Sequence, residues 1–211
     1  MEKRKKIWGL LAVLLAISAI AAHYLWEPWG FYRKVSEEEA ERRLALVRTA
    51  EGYLGCNEAD GSHKAIIDLY NSHEPLALGY TVQYTDSWCS TFVSAMAIRC
   101  GLTEITPTEC GCERHIGLFR QLGRWEEDDN AVPLPGDLIF YDWDMKKPGD
   151  ATGWSDHVGI VVGTKWPFVK VIEGNKDDSV SYRILLLGDW QIRGYAKPDY
   201  AGTALSPRAE K

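Results

Sequence analysis

The apolar residues of this chain change period once, and that change limits what it can fold into. Between Ser36 and Gly101 they recur at helical spacing. After Pro133 they gather in short runs rich in valine, isoleucine and aromatics. Ser36-Glu37-Glu38-Glu39 is a capping box, and Ala40, Leu44, Val47, Ala50 and Leu54 follow on one face until Gly55. A second short helix is expected over 62–71, with Ala65, Ile66, Leu69 and Tyr70 inward. A third begins near Cys89, capped by Asp86 or Ser87, and stops at Gly101. A loop and one more short helix fill 106–122. Strands are expected over 137–141, 157–163, 168–173, 179–186 and 193–196, the first after a Pro135-Gly136 turn. Helices first and strands second imply an α+β domain, with helices packed on an antiparallel sheet.

The N-terminus adds a second constraint. Ile7 to Trp26 is an apolar run of 20 residues, which as a helix spans about 30 Å, the thickness of a bilayer's hydrocarbon core. Lys3, Arg4, Lys5 and Lys6 precede it and favour a cytoplasmic N-terminus with the remainder outside. Two readings stand. Tyr24, Trp26, Trp29, Phe31 and Tyr32 resemble the aromatic belt of an uncleaved anchor, whereas Ala19-Ile20-Ala21 offers a signal-peptidase site and a secreted product. The expected organisation is an anchor over 1–26, a linker over 27–35, one domain over 36–198 and a frayed tail over 199–211.

The whole chain carries −6 and residues 1–26 carry +3, so residues 27–211 carry −9. That charge argues against a nucleic-acid partner. The five cysteines are Cys56, Cys89, Cys100, Cys110 and Cys112. Four of them could form disulfides outside the cell if Cys89 is a free nucleophile. A zinc site from Cys110, Cys112 and His115 lacks a second ligand pair of the usual spacing, and buried structural cysteines are the simpler reading.

Cys89 stands where backbone N–H groups and the partial positive charge of a helix start favour a thiolate. His157 opens an apolar run, and Val158–Val162 and Val169–Ile172 should pair as a hairpin. With a three-residue loop, Lys165 to Pro167, Thr164 opposes Phe168 and His157 opposes Asn175. Glu173 then lies diagonally beside His157 on the same face. A polar partner on Nδ1 would orient the imidazole for general-base work.

Four blocks carry a family resemblance: Trp88-Cys89-Ser90-Thr91-Phe92-Val93, Pro135-Gly136-Asp137-Leu138-Ile139-Phe140, Asp156-His157-Val158-Gly159-Ile160-Val161-Val162, and Ile172-Glu173-Gly174-Asn175. In this order they resemble the CHAP family (cysteine, histidine-dependent amidohydrolase/peptidase), within the NlpC/P60-like superfamily. The resemblance covers about residues 80–198. It implies a papain-like α+β fold and cleavage of peptidoglycan, as an N-acetylmuramoyl-L-alanine amidase or a peptide endopeptidase. It also implies Cys89 as nucleophile, His157 as general base, Glu173 as imidazole partner and Asn175 as a fourth polar group. Gln83 and Tyr84 are the nearest oxyanion candidates, and either can equally be an ordinary loop residue. Trp88 and Trp154 are candidates for the substrate groove, the latter in an insert over 142–155 that also holds Trp143. No cofactor is implied. Some members carry aspartates before the cysteine that bind calcium, but Asp86 alone stands there, so no metal is expected.

The implied partners are peptidoglycan stem peptides and, through residues 7–26, a membrane. A catalytically inactive wall-binding module on the same fold is the alternative, disfavoured because binding alone does not need the Cys–His–Glu–Asn set. A small-amide amidase is a third reading, and export disfavours it.

Overall fold

Ser36 opens the first helix as its sequence requires. Its Oγ accepts the Glu39 N–H at 3.2 Å in a computed structural model that describes residues 35–144 and 151–202. Helix α1 (Glu37–Glu51) buries Ala40, Arg43, Leu46, Val47 and Ala50. The expected inner row is therefore rotated: Leu44 is half-buried, and Leu54 is exposed because the helix stops at Glu51. Arg43 turns inward to meet Asp137 at 2.7 Å, fastening α1 to the start of the sheet. Helix α2 (Lys64–Asn71) and a 3-10 turn (Ala77–Gly79) lead to α3 (Cys89–Cys100), and α4 (Cys112–Gln121) follows. In α2, Ile66, Ile67 and Tyr70 are buried, while Ala65 is exposed.

The strands are β1 (Trp125–Glu126), β2 (Leu138–Tyr141), β3 (His157–Lys165), β4 (Phe168–Lys176), β5 (Ser179–Leu186) and β6 (Ile192–Ala196). They form one six-stranded sheet in the order β1-β6-β2-β3-β4-β5, with every neighbouring pair antiparallel. The expected α+β layering holds, and only β1 has no counterpart in the sequence reading. One face of the sheet, with Leu138, Phe140, Val158, Ile160 and Ile172, packs on the helices. The other carries Ile139, Tyr141, Val161, Val169, Val171, Ile192 and Tyr195, against which Ala131, Trp143, Leu185 and Leu187 pack. Burial on both faces explains why β2 reads as an unbroken apolar run rather than an alternating one.

The β3–β4 hairpin reaches its expected register by a different route. Lys165 pairs with Phe168, so the loop has two residues, Trp166 and Pro167, not three. A bulge at Val162 absorbs the offset, and beyond it Val161 pairs with Val171 and Ile160 with Ile172. From there alternation places His157 and Glu173 on the same face, as the three-residue loop would have done.

Two glycines make room for this arrangement. A Cβ at Gly159 would collide with Val171 Cγ1 and Glu173 Cγ, the side chain that must lie across it. A Cβ at Gly174 would overlap Phe92 in α3, so the glycine lets β4 approach the helix that carries Cys89.

Among the described residues no helix is long and apolar enough to cross a membrane. The expected span over 7–26 lies outside the described residues, as does the linker up to residue 34. At the other end the domain continues past 198. Asp199 pairs with Arg124 at 2.6 Å, and the buried Tyr200 hydroxyl donates to the Gly136 carbonyl at 2.8 Å. Residues 199 and 200 are therefore held to the domain, and residues 203–211 lie outside the described residues.

Gly174→Ala is expected to destabilise the domain by about 1–3 kcal/mol, the usual result of forcing a methyl into a filled core. Urea denaturation checks this, and an unchanged midpoint would mean that the β4–α3 contact has slack.

Candidate active site

Helix α3 starts without a side-chain cap. Its N-cap is Trp88, which makes no capping hydrogen bond, so neither Asp86 nor Ser87 caps the helix as expected. Asp86 Oδ2 accepts instead from the Gln83 N–H and the Tyr80 hydroxyl, both at 2.8 Å. An uncapped start leaves first-turn N–H groups available to an anion. Trp88 is fully buried, and its Nε1 donates to Glu58 Oε1 at 3.0 Å. It pins the helix start and does not line a groove.

Cys89, the first residue of α3, is 5% exposed. Its Sγ lies 3.4 Å from the Sγ of Cys112, which opens α4. The Cys89 thiol is held well below the usual range, first by its hydrogen bond with Cys112. Burial opposes this, and the hydrogen bond and charge of His157, together with the Ser90 N–H, add to it. Cys112 moves the opposite way, because its proton is held against the Cys89 sulfur and because it is buried. The natural assignment is a Cys89 thiolate accepting from the Cys112 S–H.

His157 completes the centre. Its Nε2 donates to Glu173 Oε2 at 3.2 Å, which leaves Nδ1 as the nitrogen available to Cys89. The expected partner on Nδ1 is thus found on the other nitrogen. Burial disfavours the imidazolium, but hydrogen bonds and charges from Cys89 and Glu173 outweigh it and push His157 up to about 9. Tyr141 stacks on the ring at 5.8 Å between centroids, and Trp143 lies at 6.1 Å.

Glu173 has no solvent exposure. Both its oxygens accept from Arg183 Nε, at 2.7 and 2.9 Å. Burial would raise its carboxyl, yet His157 and Arg183 hold it below the usual range. The Arg183 guanidinium lies 5.1 Å from the centroid of Trp143 and 5.6 Å from that of Tyr141.

Other expected members are placed elsewhere. Asn175 does not contact His157 by a hydrogen bond. Its φ of 57° and the β4–β5 irregularity between Glu173 and Lys176 break the alternation that would have aligned it. The Gln83 amide donates to the Thr81 carbonyl at 2.8 Å, and the Tyr84 hydroxyl donates to Asp68 at 2.7 Å. Trp154 is 70% exposed, and Trp143 is the insert's indole beside His157. A cavity of about 510 Å³ opens beside the starts of α3 and α4, lined by Tyr80, Asp86, Ser87, Gly111 and Arg114 among others.

All five cysteines are free. Cys110, Cys112 and His115 do not converge as a zinc site, for His115 Nδ1 pairs with Ser90 Oγ at 3.0 Å while Cys112 faces Cys89. Asp142, Asp144 and Asp156 do bring one carboxylate oxygen each within 4.8 Å of one another. Two of them already fasten the loop: Asp142 Oδ1 accepts from the Asp144 N–H, and Asp156 Oδ2 from the Trp143 N–H.

Cys112 and Arg183 are the residues that sequence reasoning missed. Each had a signal. Cys112 follows a glycine at a helix start, and Arg183 lies opposite Val171, two residues from Glu173 on the same face.

No family model matches the chain, and no curated protein matches it. Among solved structures, an NlpC/P60 family protein from Bacillus cereus ATCC 10987 is similar over 74% of this chain and 40% of its own, at 17% identity and a TM-score of 0.42. The structure of Ly7917 is similar over 52% of this chain and 53% of its own, at 15% identity and a TM-score of 0.34. The chain thus spans less than two thirds of either protein. Both are distant likenesses of fold, and the chemistry rests on the residues themselves.

Cys112→Ala and His157→Ala should each move the titration of Cys89 to higher pH. Alkylation of Cys89 followed against pH by peptide mass analysis reads this. An unmoved titration in both variants would mean that neither group supports the thiolate.

Proposed function

We propose that this domain is a cysteine amidohydrolase or peptidase of the CHAP type, with a papain-like NlpC/P60 arrangement, acting on peptidoglycan. In this reading it cuts amide bonds of stem peptides, as an N-acetylmuramoyl-L-alanine amidase or an endopeptidase. Residues 7–26 tether it to the membrane, with the catalytic domain outside. One observation carries the chemistry: a nucleophile at an uncapped helix start is coupled to an imidazole that a fully buried carboxylate holds. The substrate class is supported by the four sequence blocks and by the basic, apolar N-terminus.

The Cys89 thiolate attacks the amide carbonyl. The developing oxyanion is met by the Cys89 backbone N–H, which is not used within the helix. The His157 imidazolium protonates the leaving amine, and the neutral imidazole then takes a proton from the water that releases the acyl group. Glu173 and Arg183 act through His157: the carboxylate stabilises the imidazolium, and the guanidinium holds the carboxylate in place.

The pH dependence follows from the shifts. The reactive pair needs Cys89 ionised and His157 protonated. Activity should therefore hold through neutral pH and fall on the alkaline side as His157 loses its proton near pH 9. Glu173→Gln removes a charge that raises His157, so the alkaline limb should move to lower pH. Profiles of kcat/KM against pH decide this, and a limb that stays fixed would remove Glu173 from its role. Cys89→Ala should lower wall cleavage by several orders of magnitude while leaving the fold intact.

Mass analysis of muropeptides from digested wall distinguishes the two bond types. A freed alanine amine marks an amidase, and a cut within the peptide marks an endopeptidase. Wall left unchanged by the wild-type protein would overturn the hydrolase reading. The topology has its own check, since protease added to intact cells should degrade the domain, and protection would place it inside.

A further inference from the structure

We infer that Cys112 is the partner with which Cys89 closes a reversible disulfide when a peroxide oxidises the site, switching the nucleophile off and protecting it from deeper oxidation. The switching of activity rests on the hydrolase reading above. The bond itself does not.

The geometry singles out this pair. The two sulfurs are in contact at 3.4 Å, and both residues are nearly enclosed, at 5% and 8% exposure. Each is the first residue of its helix, where a side chain points back off the helix end. A disulfide has an S–S distance of about 2.05 Å, so the sulfurs need close by only about 1.3 Å, a movement that side-chain rotation at two helix ends can supply. Two of the other three thiols are engaged elsewhere: Cys100 Sγ donates to Thr49 Oγ1 at 3.2 Å, and Cys110 Sγ accepts from Arg114 at 3.5 Å. The pair is also not half of a metal site. Among the described residues the cluster of ligand atoms close enough for an ion is that of Asp142, Asp144 and Asp156.

The chemistry balances in two steps with hydrogen peroxide as the oxidant. The Cys89 thiolate attacks one peroxide oxygen, forming an S–O bond as the O–O bond breaks, and the departing hydroxide takes a proton to leave as water. Cys89 is now a neutral sulfenic acid. Cys112 then attacks the Cys89 sulfur, forming the S–S bond, and the sulfenic hydroxyl leaves as water with the Cys112 proton. The two thiols have lost two electrons, and one peroxide has become two waters. The order of events suits the electrostatics. Cys112 keeps its proton chiefly because it donates to the Cys89 sulfur. That demand ends once Cys89 becomes neutral, so the second thiol is freed when it is needed.

The test uses the purified full-length chain in mild detergent, treated with a modest excess of hydrogen peroxide. Intact mass should fall by two hydrogens, and peptide mapping should join the Cys89 peptide to the Cys112 peptide. Wall-cleaving activity should be lost and should return with a dithiol. In Cys112→Ser, measured against its own untreated activity, the same treatment should carry Cys89 to the sulfinic acid, and a dithiol should no longer restore activity. A Cys89 that oxidises without linking, links to another cysteine, or recovers equally well in Cys112→Ser would overturn the inference. A preparation that forms the Cys89–Cys112 link but never cleaves wall would instead overturn the hydrolase reading and leave the sulfur chemistry standing. If Cys112→Ser does not fold, the peptide map of the wild-type chain still decides.

Discussion

A carboxylate with no solvent exposure is the constraint around which this domain is arranged. Glu173 can stay ionised only if cations meet it, and removing one partner of such a buried pair usually costs about 3–5 kcal/mol. Arg183 reaches it because β4 and β5 pair with Val171 opposite Arg183. His157 reaches it because the bulge at Val162 sets the β3–β4 register. Gly159 contributes nothing but space, since any side chain there would lie where Glu173 must pass. Tyr141 and Trp143 close the arrangement with aromatic faces, excluding water from the ion pairs while tolerating the two cations. The His157 imidazole is thus oriented by the sheet, and the Cys89 sulfur comes from the helices.

Much of this was legible in the sequence, and the reasons differ by residue. Cys89 and His157 could be read because each begins a segment whose period is unambiguous. Glu173 could be read from strand parity. The register, however, is right for a reason the sequence did not disclose: a loop one residue shorter than expected is offset by a one-residue bulge. Asn175 shows the limit of the same argument. Alternation holds only while the backbone stays extended, and a left-handed residue at the end of a ladder breaks it. Trp88 shows a different limit, and Gln83 and Tyr84 show what nearness in sequence leaves open. Proximity along the chain to Cys89 says nothing about direction: the Trp88 indole points to Glu58, the Gln83 amide donates to Thr81 and the Tyr84 hydroxyl to Asp68. The glycine before Cys112 marks a helix start, but the closeness of Cys112 to Cys89 depends on how two helices meet, which no local pattern encodes.

The meeting of α3 and α4 has an electrostatic logic. Neither helix has a side-chain cap, and both begin with a cysteine. Two helix starts brought together place two partial positive charges side by side, an unfavourable contact unless an anion lies between them. A thiolate on Cys89 answers that need, and the His157 imidazolium adds a full positive charge. The uncapped ends, which would be defects in an isolated helix, become the means by which a buried sulfur stays ionised.

Activation alone does not explain why sulfur stands at position 112. A serine or threonine hydroxyl at a helix start would donate to the thiolate as well, and hydroxyls are the stronger donors. A thiol is the weaker choice for a hydrogen bond and the better one for redox chemistry, because only sulfur can close a bond to an oxidised Cys89. A thiolate that would attack an amide carbonyl would also attack a peroxide, since both reactions begin with the ionised sulfur. A second thiol in contact with the first addresses both demands from one position. It lowers the energy of the thiolate in the reduced state, and it offers a reversible route out of the sulfenic acid in the oxidised one.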